Sequence, residues 1–425
     1  MNDSAQYPRT RWLVLLAAVL GGVAMQAVNV SIAPLLPEVA KSLNVGLGTA
    51  TNLMSVFLFS SSVVILFVGG AVSDRFGPLV SIILGLICLT IPAVLTPWIG
   101  AHYAAVFWAR MVEGLSCGFI LPAGGPILAI WFPRNERGMA GGALCASISI
   151  GSMVGLLSGP AVFSVTKDWK TMSALLSIPG WVTLLFALAL AFFCKRRLLI
   201  DVPGATANID ATFKRALLAP LTLFGVLVTF ASSWCTQCLY SLTPAFLAAD
   251  KPVGAGYGAM VSGQLMIAVT VAGIVGPMIC GFLLDKIFHG RAIPMMLLGF
   301  VLASGCCYAL LLQGVMGSVP ILEAALLLAG LGVQFVFPAI TVFIVMSYPG
   351  HIVGKATGLW NGLGFFGGVI GLYIGGVTVG RTGSYHSAIL SMAICALVGF
   401  FLALVLRNQK SLTVPQPEEQ AVHVN

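Results

Sequence analysis

The chain has 425 residues and a formal net charge of +8 at pH 7; 59% of it is hydrophobic and 8% is charged. A soluble domain carries about 25% charged residues, so this chain cannot cover a water-facing surface, and lipid must be the solvent for most of it. That excludes a soluble enzyme, and it excludes nucleic acid as a partner, because no basic stretch sits on a soluble unit.

Crossing about 30 Å of hydrocarbon takes roughly 20 helical residues, and apolar runs of that length recur from end to end. They predict twelve spans, at 12–36, 50–72, 78–99, 102–131, 138–164, 172–194, 217–248, 256–284, 292–313, 319–347, 354–379 and 385–406. In lipid only helices or closed barrels satisfy every backbone group. These runs lack the alternation of a barrel strand, so the expected fold class is all-α integral membrane.

Span 1 has no small-residue cleavage site after a short apolar core and is read as a true span, not a signal peptide. Pro34 and Pro37 are expected to end it. Gln26 and Asn29 share one of its faces. Between spans 2 and 3 stands Gly70-x-x-x-Asp74-Arg75-x-Gly77. Span 4 carries Arg110 and Glu113, three residues apart and therefore on one helix face. A charge near the bilayer centre costs on the order of 2.5–3.5 kcal/mol, so these two face a cavity or a partner. Two readings stand: Arg110 attracts an anion while Glu113 carries a proton, or the two form an ion pair that only fixes packing. After span 4 comes Trp131-Phe132-Pro133-Arg134-Asn135-Glu136-Arg137-Gly138.

Span 5 holds Ser147, Ser149 and the row Gly151, Gly155, Gly159, a small-residue stripe that permits close helix packing. Residues 195–216 form the longest polar stretch between spans and are expected to be a basic cytoplasmic linker. Span 7 brings Ser232, Ser233, Trp234, Thr236, Gln237 and Tyr240. Gln264 lies on span 8, Gln334 on span 10, and Trp360 and Asn361 on span 11. Glu323, near the outer end of span 10, is expected to be solvated. The tail after 407 is expected to be disordered and cytoplasmic.

The two halves repeat each other. Gly70, Asp74 and Arg75 recur as Gly281, Asp285 and Lys286, shifted by 211. At a shift of 216, Gly114, Pro122 and Phe132-Pro133 recur as Gly330, Pro338 and Tyr348-Pro349, and Gly151, Gly155 and Gly159 as Gly367, Gly371 and Gly375. A six-span unit has been duplicated, giving bundles at 1–194 and 217–406. Such parallel repeats belong to carriers that rock two halves around a midplane site.

On these residues the chain resembles the major facilitator superfamily across all twelve spans. The resemblance implies that the loop of Gly70, Asp74, Arg75 and Gly77, with its copy at Asp285 and Lys286, braces the cytoplasmic side, Asp74 facing the start of span 11 near Gly354 and Lys355. The family pattern continues with a basic residue after Gly77, where this chain has Pro78. It also implies that spans 1, 4, 7 and 10 line the cavity. Arg110-x-x-Glu113-Gly114, followed by the charged loop containing Glu136 and Arg137, is similar to the anion:cation symporter and cyanate/nitrate-type branches. The span-5 glycine row resembles part of the drug:proton antiporter motif but lacks its following glycine pair, Ala161-Val162 standing there.

The expected function is therefore secondary transport of a small anion, coupled to protons by symport, with lipophilic drug export as the alternative. Arg110, Gln26, Asn29, Trp234, Gln237, Tyr240, Gln334, Trp360 and Asn361 are the candidate substrate residues, and Glu113 the proton carrier. No catalytic group, metal site or cofactor is implied: the five histidines lack metal-ligand spacing, and no nucleophile triad or P-loop is present. The ten cysteines are dispersed and read as small apolar residues. Fifteen Lys and Arg fall on one side of the predicted spans against five on the other, which puts both termini in the cytoplasm of a cell with an inner membrane. A monomer is expected.

Overall fold

A computed structural model describes residues 10–133, 136–193, 219–348 and 353–408. The linker 195–216 and the tail from 409 lie outside them, as do the expectations placed there. Among the described residues, twelve helices are long and apolar enough to cross a membrane: span 1 (Arg11–Ser42), span 2 (Leu47–Ser73), span 3 (Pro78–Ile99), span 4 (Tyr103–Leu128), span 5 (Met139–Thr166), span 6 (Trp169–Phe193), span 7 (Pro220–Ala248), span 8 (Gly258–Lys286), span 9 (Ala292–Ala309), span 10 (Val319–Ser347), span 11 (Ala356–Thr382) and span 12 (His386–Arg407).

The packing is that of two matching bundles. Span 1 packs on span 5 as span 7 packs on span 11. Span 4 lies against spans 2 and 3 as span 10 lies against spans 8 and 9, and span 6 covers spans 1 and 3 as span 12 covers spans 7 and 9. The glycine rows make close contacts of this kind. A Cβ at Gly151 would stand 2.6 Å from the Val23 carbonyl oxygen, and one at Gly159 2.6 Å from that of Ser31. In the second half a Cβ at Gly371 would stand 2.8 Å from Cγ of Trp234. Without hydrophobic drive between helices in lipid, such close backbone approach supplies the packing.

Several boundaries differ from expectation. Pro34 and Pro37 do not end span 1. The chain passes through a 3₁₀ turn, Ala33–Leu35, and continues as a helix over Leu36–Ser42, with a proline in the first turn of each piece. Proline lacks only an N–H that a first turn leaves unused. Span 6 starts earlier than 172 because Asp168 caps it, accepting from the backbone N–H groups of Lys170 and Thr171. Partial burial raises the Asp168 carboxyl, but hydrogen bonds from Thr171 and Lys170 outweigh this and hold it below the usual carboxylate range. Span 9 ends at Ala309, and Gln313–Met316 form a separate turn.

The halves meet along spans 2 and 11, along spans 5 and 8, and where the last turns of span 1 reach span 7. The last two seams close the side on which span 1 ends. There Leu35 and Leu36 are fully buried, as are Leu242 and Phe246 of span 7. A Cβ at Gly48, at the start of span 2, would collide with the Gly376 carbonyl and stand 2.8 Å from Cα of Gly380. Beyond these contacts, spans 1 and 7 leave a cavity between the halves.

Candidate functional site

The cavity lies between the halves, holds about 200 Å³, and is lined from spans 1, 2, 4, 5, 7, 10 and 11. Five of the expected residues are on its wall: Gln26, Asn29, Gln237, Tyr240 and Gln334. They are joined by Ser149 and Ser152 of span 5 and by Ser232, Ser233 and Thr236 of span 7. The rest is apolar, with Phe57, Leu58, Leu121, Phe337 and Phe365 among it, and none of the lining residues is charged.

The polar face has a focus that the sequence did not reveal. Gln334 Nε2 donates to Tyr240 Oη at 3.4 Å, and Tyr240 Oη donates to the Val269 carbonyl at 3.4 Å. All converge on Gly273 of span 8, where a Cβ would stand 2.6 Å from Ser149 Oγ, 2.8 Å from Tyr240 Oη and 3.1 Å from Gln334 Nε2. Four spans from both halves thus bring polar groups to one point, and only glycine leaves room for them. No local pattern around Gly273 signals this, because its partners come from three other spans.

Arg110 and Glu113 stand directly behind the wall. Arg110 Nη1 donates to Glu113 Oε2 at 2.8 Å, and Nη2 donates to the Asn29 carbonyl at 3.0 Å. The guanidinium lies 5.0 Å from the Phe57 ring centroid, a cation–π distance. Asn29 and Phe57 both line the cavity, so a single layer of side chains separates it from the pair. Arg110 is 2% exposed and Glu113 1%. Arg110 Nε is buried without a hydrogen-bond partner among the described residues. One donor of the guanidinium is therefore unsatisfied.

The remaining candidates sit elsewhere. Trp234 packs against Gly371 of span 11, with its buried Nε1 unpartnered among the described residues. Trp360 is fully buried away from the cavity; its indole N–H donates to Tyr348 Oη at 3.2 Å, and its ring covers Gly225 of span 7. Tyr348 Oη shares a 2.6 Å hydrogen bond with Thr222 Oγ1. Trp360 thus ties the end of span 10 to the start of span 7. Asn361 is off the cavity wall, its Oδ1 buried and unpartnered among the described residues.

At the other candidate loop, Gly77 adopts φ +89°, a region glycine enters at little cost. Arg75 is exposed, its guanidinium 5.4 Å from the Phe76 ring centroid. The Asp74 and Lys355 side chains, and with them the contact expected at the start of span 11, lie outside the described residues. Asp285 and Lys286 are exposed at the end of span 8. Glu136 instead reaches span 1, pairing with Arg11 at 2.9 Å, while Arg137 Nε donates to the Phe132 carbonyl at 3.0 Å. Phe132 meets Trp12 edge-on at 5.2 Å. Phe132 and its repeat Tyr348 therefore do one job, fastening an even span to the first span of its bundle.

The family model of the Major Facilitator Superfamily matches residues 14–316 and 289–424. The chain belongs to that superfamily. Among its relatives, Multidrug resistance protein 2 of Bacillus subtilis is 23% identical over 413 residues, covering 97% of this chain and 98% of the relative. A probable sulfoacetate transporter of Cupriavidus necator is 26% identical over 382 residues, 84% of each chain. The phosphoglycerate transporter protein of Salmonella typhimurium is 24% identical over 456 residues, covering 99% of this chain and 93% of the relative. As a member of the major facilitator superfamily, the protein is a multi-pass membrane transporter of twelve spans, and its family implies a small-molecule substrate.

Proposed function

We propose that the protein moves a small anion together with a proton, by symport and alternating access. The observation that carries this reading is the buried Arg110–Glu113 pair, one residue layer behind an otherwise uncharged cavity. An anion entering beside Asn29 and Phe57 competes with Glu113 for Arg110. Once released from Arg110, a carboxylate buried in low dielectric binds a proton readily. Anion and proton then occupy the site together, and neither leaves an unpaired charge. Gln26, Asn29, Gln237, Tyr240 and Gln334 orient the solute through hydrogen bonds. The similarity to sulfoacetate and phosphoglycerate transporters supports an anionic cargo.

The membrane is the plasma membrane of a bacterial-type cell. Both termini are cytoplasmic by the distribution of Lys and Arg, so the cavity described above faces the cytoplasm. The protein works as a monomer.

A second reading is export of lipophilic compounds by proton antiport. It is favoured by the full-length similarity to a multidrug resistance protein and by the apolar share of the cavity wall. Proton flux in proteoliposomes, read with a pH-sensitive dye while panels of small anions and of lipophilic cations are added, separates the two. External alkalinisation with an anion, absent when Arg110→Met and Glu113→Leu are combined, supports symport. Proton movement with lipophilic cations alone would overturn symport in favour of export.

A further inference from the structure

A second cavity lies well away from the first. It holds about 520 Å³ and is formed where the start of span 9 meets the ends of spans 10 and 12. Two arginines stand at its rim, Arg291 and Arg407, and both are exposed. Neither has an ion-pair partner among the described residues, and no acidic residue lines the groove. The floor is apolar: Ile293, Pro294, Leu297 and Phe343. Arg291 is also the N-cap residue of the helix Ala292–Ala309, with no side chain satisfying the first N–H groups. That helix end adds partial positive charge to the same place.

The depth of the groove identifies what fits it. Arg291 precedes span 9, Ser347 ends span 10 and Arg407 ends span 12, so the arginines mark the boundary between hydrocarbon and headgroups. Pro294, Leu298 and Val301 follow one face of span 9 away from Arg291, and Leu298 and Val301 are exposed. A free anion would use the arginines but not this apolar track; a phospholipid uses both.

We propose that the groove between spans 9, 10 and 12 is a binding site for an anionic phospholipid, its phosphate held by Arg291 and Arg407 and an acyl chain lying along Pro294, Leu298 and Val301. Basic pockets between transmembrane helices hold such headgroups, and each arginine near an anionic surface contributes favourably. The inference does not depend on what the central cavity carries.

The test uses the full chain, delipidated in detergent and titrated with phosphatidylglycerol, phosphatidylcholine or inorganic phosphate, with bound lipid counted by native mass spectrometry. Phosphatidylglycerol is expected to bind in preference to phosphatidylcholine, and Arg291→Gln/Arg407→Gln to weaken it by roughly tenfold or more. Arg291→Lys/Arg407→Lys, which keeps the charge and serves as a check on folding, is expected to recover part of that affinity. Equal retention of phosphatidylglycerol by the Gln variant overturns the proposal, as does equal loss in Lys286→Gln, which removes a nearby charge outside the groove. Competition by inorganic phosphate as effective as phosphatidylglycerol overturns the acyl-chain contact. Binding seen only after deletion of residues 409–425 would place the chain's own Glu418 and Glu419 in the groove instead.

Discussion

Arg110 and Glu113 are more strongly committed to each other than either is to the cavity, and that shapes how they are tested. Removing one member strands a buried charge, which costs about 3–5 kcal/mol. Loss of transport in Arg110→Ala alone would therefore say little. Replacing both together, Arg110→Met with Glu113→Leu, removes the stranded charge. We expect thermal stability in detergent to return close to that of the native protein while anion-driven proton uptake stays abolished. Recovery of coupled transport in the double variant would make the pair a packing device only. Gly273 gives a second test at this scale. A methyl group there meets Ser149 Oγ, Tyr240 Oη and Gln334 Nε2 at 2.6–3.1 Å, so Gly273→Ala should raise the half-saturating substrate concentration about tenfold or more in uptake assays. The melting temperature should change little, because a hydroxyl and an amide can swing into the cavity.

Between residues and the whole lie the helices and the way they grip one another. Trp360 fills the space left by Gly225, and no side chain fits there while the indole stays in place. Gly225→Ala is expected to destabilise the protein by about 1–3 kcal/mol through overpacking. Trp360→Phe, a smaller ring, should recover part of that loss in the double variant, as read by thermal melting. The sequence showed Trp360 beside Asn361 on a span bordering the cavity, and that neighbourhood suggested a substrate role. What it could not show is that the ring is used up against Gly225 and Tyr348, two partners more than ten residues away in the chain. The span count was legible for the opposite reason: twenty apolar residues in a row have only one stable place to be. Asp168 was a readable cap signal that the hydropathy pattern alone stopped short of. Pro34 and Pro37 misled because proline breaks a helix in its interior yet suits its first turn, and sequence does not say which position applies.

At the scale of the whole molecule, the internal repeat carried the architecture. The mapping of Phe132 onto Tyr348, and of one glycine row onto the other, anticipated that spans 1 and 5 and spans 7 and 11 would pack alike. It did not anticipate where the halves separate. That depends on the closed seam at Gly48, Gly376 and Gly380, which neither half specifies alone. A larger residue there must hold the seam apart. Gly48→Val is expected to cut transport more than tenfold while leaving expression and melting near normal, because each bundle keeps its own packing. Substrate protection of a cysteine placed on the far side would report the shift in orientation.

The pairing of Arg110 with Glu113 also fixes how the carrier meets the membrane voltage. Empty, its centre holds one positive and one negative charge, which sum to zero. Loaded with a monovalent anion and one proton, the centre again sums to zero. Moving one net charge through 100 mV is worth about 2.3 kcal/mol, and on the proposed cycle neither crossing moves one. Uptake should follow the pH gradient and the anion gradient and ignore an imposed potassium diffusion potential. A divalent anion, by contrast, would bring one uncompensated charge and make its own transport sensitive to voltage.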